Sequence, residues 1–201
     1  MITIVDYAIN NLRSVEKAFQ SMSLPVTVTD DPARLRAAEK LVLPGVGAFA
    51  DAMSNLEARK LRSVIREKVE AGTPLLGLCL GLQLLFTESE EFGRHQGFDF
   101  VPGQVKRLPP GLKVPHIGWN QLHLKRPDPL LEGIHEGDFV YFVHSYYADP
   151  EHPTDVLATT DYGCEFAAIV RRKNVWATQF HPEKSQSIGL RILRNFAQRV
   201  P

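Results

Sequence analysis

The chain has 201 residues, 44% of them apolar and 23% charged, and its 23 Lys and Arg balance 23 Asp and Glu. That composition belongs to a globular domain with one well-buried core. A net charge of zero gives no sign of a nucleic acid or an anionic membrane as the principal partner and favours a small molecule or a protein.

The first predicted element is a strand over residues 2–5, a short β-branched run ending at Asp6. A helical pattern follows, with Leu12, Val15, Ala18, Phe19 and Met22 spaced by three and four. Residues 26–29 form the next predicted strand, 32–38 a short helix begun after Asp31, and 40–43 a third strand broken by Pro44-Gly45. Residues 56–71 read as one helix with Leu61, Val64, Ile65 and Val69 on one face, stopped by Gly72-Thr73-Pro74 before a strand over 75–78. Alternation at this spacing requires crossovers of a dozen or more residues. It predicts a doubly wound α/β fold with a mostly parallel central sheet and helices on both faces.

From residue 104 the texture changes to short β-like runs over 104–108, 121–124, 139–143, 156–159, 167–171 and 175–180. Several are expected to pair as antiparallel strands, with Arg172-Lys173-Asn174 as the clearest tight connection. A last helix over 185–199 carries Ile188, Ile192, Leu193 and Phe196 inward. With no repeat, low-complexity tract or linker, residues 1–201 read as a single domain.

Two cysteines, Cys79 and Cys164, are far apart and lack C-x-x-C spacing, which points to a reducing, cytoplasmic setting rather than a disulfide scaffold or zinc site. Cys164 reads as a small side chain near a turn. The start of the chain shows no secretory pattern, and the apolar run around Cys79 falls well short of the roughly 20 residues that cross a bilayer.

Cys79 itself follows the strand over 75–78 directly, where parallel α/β sheets bind ligands. Gly77 and Gly81 permit a sharp strand-to-helix turn in the manner of G-x-S-x-G, here Gly77-Leu78-Cys79-Leu80-Gly81. The unpaired amides and dipole of a following helix favour a thiolate, the form that attacks carbon. The plain alternative is a cysteine buried in a leucine-rich core. His181 and Glu183 shift that balance: Pro182 keeps His181 extended, and residues two apart in an extended segment share a face. Glu183 can then accept from one ring nitrogen while the other faces the thiol. The Leu80 amide and the loop Pro44-Gly45-Val46-Gly47-Ala48-Phe49, through Val46 and Gly47, are candidate oxyanion donors. On its own that loop could equally be a tight turn.

Paired with Phe180-His181-Pro182-Glu183, the Gly77 to Gln83 motif resembles the class I (triad) glutamine amidotransferases. The resemblance spans the chain, since segments 6–15, 44–49, 116–120, 142–147 and 179–185 match the branch that serves histidine biosynthesis. It implies hydrolysis of L-glutamine through a Cys79 thioester, with His181 as proton shuttle and Glu183 orienting it, and ammonia passed to a (β/α)8-barrel cyclase subunit in a heterodimer. It further implies Gln83 and Glu91 at the glutamine α-amino end, the Ser145-Tyr146 backbone at its carboxylate, and Asn11, Trp119 and Lys184 on the face that meets the cyclase. No cofactor, metal, nucleic acid or membrane is implied. The branch usually carries glycine where this chain has Ala8 and Asn10; Ala8 is expected to change little and Asn10 to affect how the loop turns. Competing readings are a glutaminase serving another synthase, a stand-alone cysteine amide hydrolase, and a binding module with a degenerate site, the last opposed by the intact Cys79, His181 and Glu183.

Overall fold

The computed structural model describes residues 1–8 and 10–201; Ile9, within the opening segment quoted above, lies outside the described residues. Its first half runs β1 (Ile2–Val5), α1 (Leu12–Ser21), β2 (Val26–Thr29), α2 (Pro32–Arg36), β3 (Lys40–Leu43), α3 (Phe49–Ala58), α4 (Leu61–Glu70), β4 (Leu75–Leu78) and α5 (Leu80–Leu84). Then come β5 (Phe86–Ser89), β6 (His95–Gln96), β7 (Val101–Arg107), β8 (His116–Gln121), β9 (His123–Leu124), β10 (Phe139–His144) and β11 (Tyr146–Pro150). The chain closes with β12 (Val156–Asp161), β13 (Glu165–Arg172), β14 (Val175–Thr178) and α6 (Gln186–Gln198).

The central sheet has the order β2-β1-β3-β4-β14-β13-β12-β9. Its first five strands pair in parallel and the remainder antiparallel. Alternation along each strand divides its side chains between two cores. Val5 and Leu75 face the helices α2, α3 and α4 with Leu35, Leu56 and Ile65, whereas Ile4 and Leu76 face α1 and α6 with Phe19, Ile192 and Phe196. The doubly wound fold with extra antiparallel strands is therefore as the sequence predicts. A four-stranded sheet, β11-β7-β5-β6, and a two-stranded ribbon, β10-β8, flank the carboxyl ends of the parallel strands.

Three local expectations are corrected. Residues 56–71 do not form one helix: α3 starts at Phe49, and the break at Lys60, with φ 58°, separates it from α4. The reason lies in phase, since the buried stripe Phe49, Ala52, Met53, Leu56 is followed not by residues 59 or 60 but by Leu61, Val64, Ile65 and Val69. Only a turn between the two segments lets both stripes face the sheet. Strand β8 begins at His116, upstream of the predicted run from 121, and β5, β6 and β11 come from segments too polar to show a strand period. The predicted Arg172-Lys173-Asn174 connection does join β13 to β14, with Lys173 at φ 53°.

The loop after β1 supplies the third correction. Ala8 sits at φ 62°, in the left-handed region where a Cβ is penalised, so the departure from glycine matters at Ala8. Ala8→Gly is expected to stabilise the fold by about 0.5–1 kcal/mol, the relieved strain exceeding the extra freedom of the unfolded chain. A rise in the urea midpoint with unchanged slope checks this; a fall would show that Ala8 is unstrained.

Candidate active site

The carboxyl ends of four parallel strands converge: β1 delivers Tyr7, β3 the glycine loop, β4 Cys79, and the segment after β14 His181. Cys79 occupies the turn between β4 and α5 at φ 54° and ψ −107°, a strained conformation for any residue but glycine. Its amide donates to the Thr178 carbonyl at 2.8 Å, locking the turn to β14. The predicted elbow is thus present, and the glycines are required by close approach: a Cβ at Gly77 would lie 2.8 Å from the Gly81 carbonyl oxygen. Helix α5 spans only five residues, so its dipole is a minor support for a thiolate. The principal positive charge is His181.

His181 is extended, at φ −96° and ψ 97°, as Pro182 dictates. Beyond it the chain does not remain a strand. Pro182–Lys184 forms one 3-10 turn, and it is this turn, not strand alternation, that folds Glu183 back to place Oε1 2.8 Å from His181 Nδ1. Asn11 Nδ2 donates to the same oxygen at 2.7 Å. The carboxylate side chain is 1% exposed. Burial alone would push the Glu183 carboxyl up, but donation from His181, its positive charge and the Asn11 amide hold it below the usual range. Burial likewise opposes charge on His181, yet the Cys79 sulfur and Glu183 together raise the ring to about 10. With Nδ1–H committed to Glu183, Nε2 is the nitrogen left to share a proton with the thiol, and the raised ring favours that proton on the imidazole; Nε2 is buried and has no hydrogen-bond partner by ordinary geometry among the described residues.

Cys79 and His181 line one cavity of about 320 Å³ together with Val46, Gly47, Leu80, Gln83, Glu91, Ser145 and Tyr146. Every predicted catalytic, oxyanion and glutamine-binding residue except Glu183 borders this space, and Glu183 stands behind His181. Gln83 Nε2 donates to the Tyr146 carbonyl at 2.8 Å, and Glu91 Oε2 accepts the Phe49 amide at 2.7 Å at the start of α3. The Leu80 amide donates to the Gly45 carbonyl at a long 3.4 Å, so the glycine loop engages one expected oxyanion donor. Gly47 has φ 114°, which disfavours any side chain there. A larger recess of about 720 Å³ near Leu124 and Ile134 contains none of these groups.

A family model described as glutamine amidotransferase class-I matches residues 3–200. The chain belongs to that family. It is 57% identical over 203 residues to imidazole glycerol phosphate synthase subunit HisH of Syntrophotalea carbinolica, covering 98% of each chain. It is 55% identical over 199 residues to the subunit of the same name from Moorella thermoacetica, covering 99% of this chain and 95% of that one. In fold it is similar to a crystal structure of a glutamine amidotransferase, at a TM-score of 0.77 with 21% identity over 98% and 97% of the two chains. As a class-I glutamine amidotransferase it is a glutamine-hydrolysing enzyme.

Three groups at this amidotransferase site escape sequence reasoning. Tyr7, fully buried, donates from its hydroxyl to the Pro44 carbonyl at 2.6 Å and so pins the entry to the glycine loop. Gln179, also fully buried, lies between Gln83 and Cys79, its Oε1 3.4 Å from Gln83 Nε2 and its Nε2 4.0 Å from the sulfur. His144 completes the cavity wall. The available signal was proximity in sequence to Asp6, His181 and Ser145.

Burial, with His116 and His181 nearby, pushes His144 down to about 3, against the opposing pull of the Tyr146 carbonyl. Unfolded, the ring titrates near its ordinary value, so between there and pH 3 the unfolded chain binds the extra proton and stability falls as pH falls. His181, raised in the fold, is already protonated there while the unfolded ring completes its protonation just below pH 6.5, so it adds only a small opposite slope, about 0.4 kcal/mol. Lowering the pH from 6.5 to 5 is expected to remove about 1.5 kcal/mol through His144. Urea unfolding across that range checks it, and the slope should shrink in His144→Asn.

Proposed function

We propose that this amidotransferase is the glutaminase subunit of an imidazole glycerol phosphate synthase, residues 1–201 acting as one domain in the cytoplasm. It would work as a heterodimer with a (β/α)8-barrel cyclase that uses the ammonia to make imidazole glycerol phosphate and AICAR. The observation that carries the chemistry is the buried His181–Glu183 pair at 2.8 Å, its free Nε2 sharing a cavity with Cys79. His181 takes the Cys79 proton, and the sulfur attacks the γ-carboxamide carbon of glutamine. The resulting oxyanion is received by the Leu80 amide and the Val46–Gly47 peptide amide. His181 returns the proton to the departing ammonia, leaving a γ-glutamyl thioester, and then draws a proton from water, which attacks the thioester and releases glutamate. Glu91 and Gln83 hold the α-amino end and the Ser145–Tyr146 backbone the α-carboxylate. A working free thiol at Cys79 suits a reducing compartment.

For the partner, the ribbon offers an apolar outer face. Ile117, Trp119 and Phe139 are exposed on it, and Trp119 packs edge to face on Tyr141 at 5.9 Å. The Tyr141 carbonyl accepts the His181 amide, which seats this face directly beside the catalytic turn and the exposed Lys184. Half-buried Asn11 reaches Glu183 from the same side. Mixing the chain with its cyclase should give glutamate and ammonia in equal amounts, and Cys79→Ser should give neither. Glutamine turnover that survives Cys79→Ser would overturn the proposal.

Freeing the Leu80 amide requires the glycine loop to move, and reorienting the Val46–Gly47 peptide is the step that also supplies the second donor. Gly47→Pro deletes that N–H and is expected to lower cyclase-stimulated turnover by about 100-fold or more. Gly47→Ala keeps the N–H and is expected to lose less. Equal turnover in parent and Gly47→Pro would remove the loop from the mechanism.

A further inference from the structure

His116 on β8 and His144 on β10 are direct cross-strand partners at the end of the ribbon, on its inner face, and both are buried. The His116 ring stacks on Tyr162 at 4.0 Å and on Phe142 at 5.0 Å, while Phe166 meets the His144 ring edge-on at 5.1 Å. His116 Nδ1 lies 3.1 Å from His144 Nε2, and His144 Nδ1 lies 2.9 Å from the Tyr146 carbonyl oxygen. A carbonyl only accepts, so His144 carries its proton on Nδ1. In the neutral ring Nε2 is then an acceptor, and His116 must donate to it from Nδ1. The direction of every hydrogen bond in the chain from His116 to Tyr146 is therefore fixed.

What that chain holds is Tyr146. The Leu108 amide donates to the Ser145 carbonyl at 3.0 Å, so at the next position, opposite Arg107, the N–H and C=O of Tyr146 turn away from β7. Its carbonyl takes two donors, His144 Nδ1 and Gln83 Nε2. With both lone-pair directions filled, the backbone at 146 and the Gln83 side chain are oriented together in the cavity wall.

We infer that the His116–His144 pair is a positioning device for the glutamine subsite, presenting the Tyr146 amide and Gln83 to the α-carboxylate and α-amino end of the substrate. This rests on the assignment of that subsite above. His116 lies behind the cavity wall and acts only through His144 and Tyr146. Its loss should fall on substrate affinity rather than on turnover at Cys79.

The test is glutamine kinetics of the assembled heterodimer with two substitutions at His116. His116→Phe keeps the stack on Tyr162 and Phe142 but removes the donor. It is expected to raise KM about tenfold, the effect of one lost buried hydrogen bond, while kcat stays within about twofold. His116→Asn places an amide N–H where Nδ1 stood and should return KM to within about threefold of the parent. An unmoved KM in His116→Phe, a loss confined to kcat, or an Asn variant no better than Phe at equal folded fraction would overturn the inference. Should His116→Phe fail to fold, 15N NMR of the histidine rings in the parent protein decides. Protonated Nδ1 on both rings supports the pair, and an Nε2–H tautomer at His144 refutes it. That spectrum needs no activity, so a parent heterodimer that hydrolyses no glutamine defeats the functional proposal while leaving the pair to be judged on its own.

Discussion

Gly81→Ala is expected to destabilise the fold by about 3 kcal/mol or more and to abolish glutamine hydrolysis. A Cβ at Gly81 would overlap the Leu43 carbonyl oxygen and lie 2.9 Å from its carbonyl carbon. Neither side can yield cheaply, because Leu43 ends β3 in the middle of the parallel sheet, paired to β4 at Gly77, and Gly81 belongs to the helix that follows Cys79. Relief of the clash would move α5 away from the glycine loop, whose Gly45 already packs so tightly that a Cβ there would come within 2.8 Å of Leu80 Cβ. Gly81 and Gly47 resist a side chain for different reasons. At Gly47 an added Cβ would meet nothing within 4 Å among the described residues, and only the backbone angle objects. A urea titration of Gly81→Ala beside Gly47→Ala reads the difference; equal midpoints would mean that the elbow is looser than its contacts indicate.

Glu183→Gln carries the second large effect. In the parent, Oε1 receives both His181 Nδ1–H and Asn11 Nδ2–H, whereas Oε2 is buried without a hydrogen-bond partner among the described residues. A glutamine with its oxygen at the Oε1 position keeps both hydrogen bonds, removes the negative charge and puts its NH2, with no acceptor among the described residues, where Oε2 stood. In the proposed mechanism that charge supports the imidazolium that holds the thiol proton, at a contact of 2.8 Å inside the protein. Turnover is expected to fall about 100-fold, near 2.7 kcal/mol, with KM close to the parent value. Steady-state glutaminase kinetics in the heterodimer check it. A kcat within twofold of the parent would reduce Glu183 to a steric prop.

The features that the sequence displays openly are those set by local pattern. Residues 2–5, 26–29, 40–43 and 75–78 form parallel strands because each is a short run of β-branched or apolar residues between turn or helix signals, and all four are found where the sequence pattern puts them. Cys79 and His181 were legible for a related reason: each follows an apolar strand, and loops at the carboxyl ends of parallel strands are where such sheets build sites. What stayed hidden depends on tertiary partners. Nothing local shows that Asn11 would serve Glu183, 172 positions away, nor that His116 and His144 would meet across a ribbon whose first strand has mixed polarity. The strain at Ala8 was hidden because alanine by itself gives no sign of a left-handed φ, and only the glycine usual at that position hinted at one. The proximity of His181 to Glu183 was anticipated through the wrong geometry, since a prolyl 3-10 turn, rather than an extended run, closes the pair.

The proposed chemistry rests on attack of the Cys79 sulfur on the γ-carbon of glutamine with His181 as its base. Incubating the assembled heterodimer with an electrophilic glutamine analogue, then mapping the adduct by peptide mass spectrometry, tests it most directly. One adduct per chain is expected on Cys79, blocked by excess glutamine and lost in Cys79→Ser. An adduct on another residue, or labelling that persists in Cys79→Ser, would contradict it.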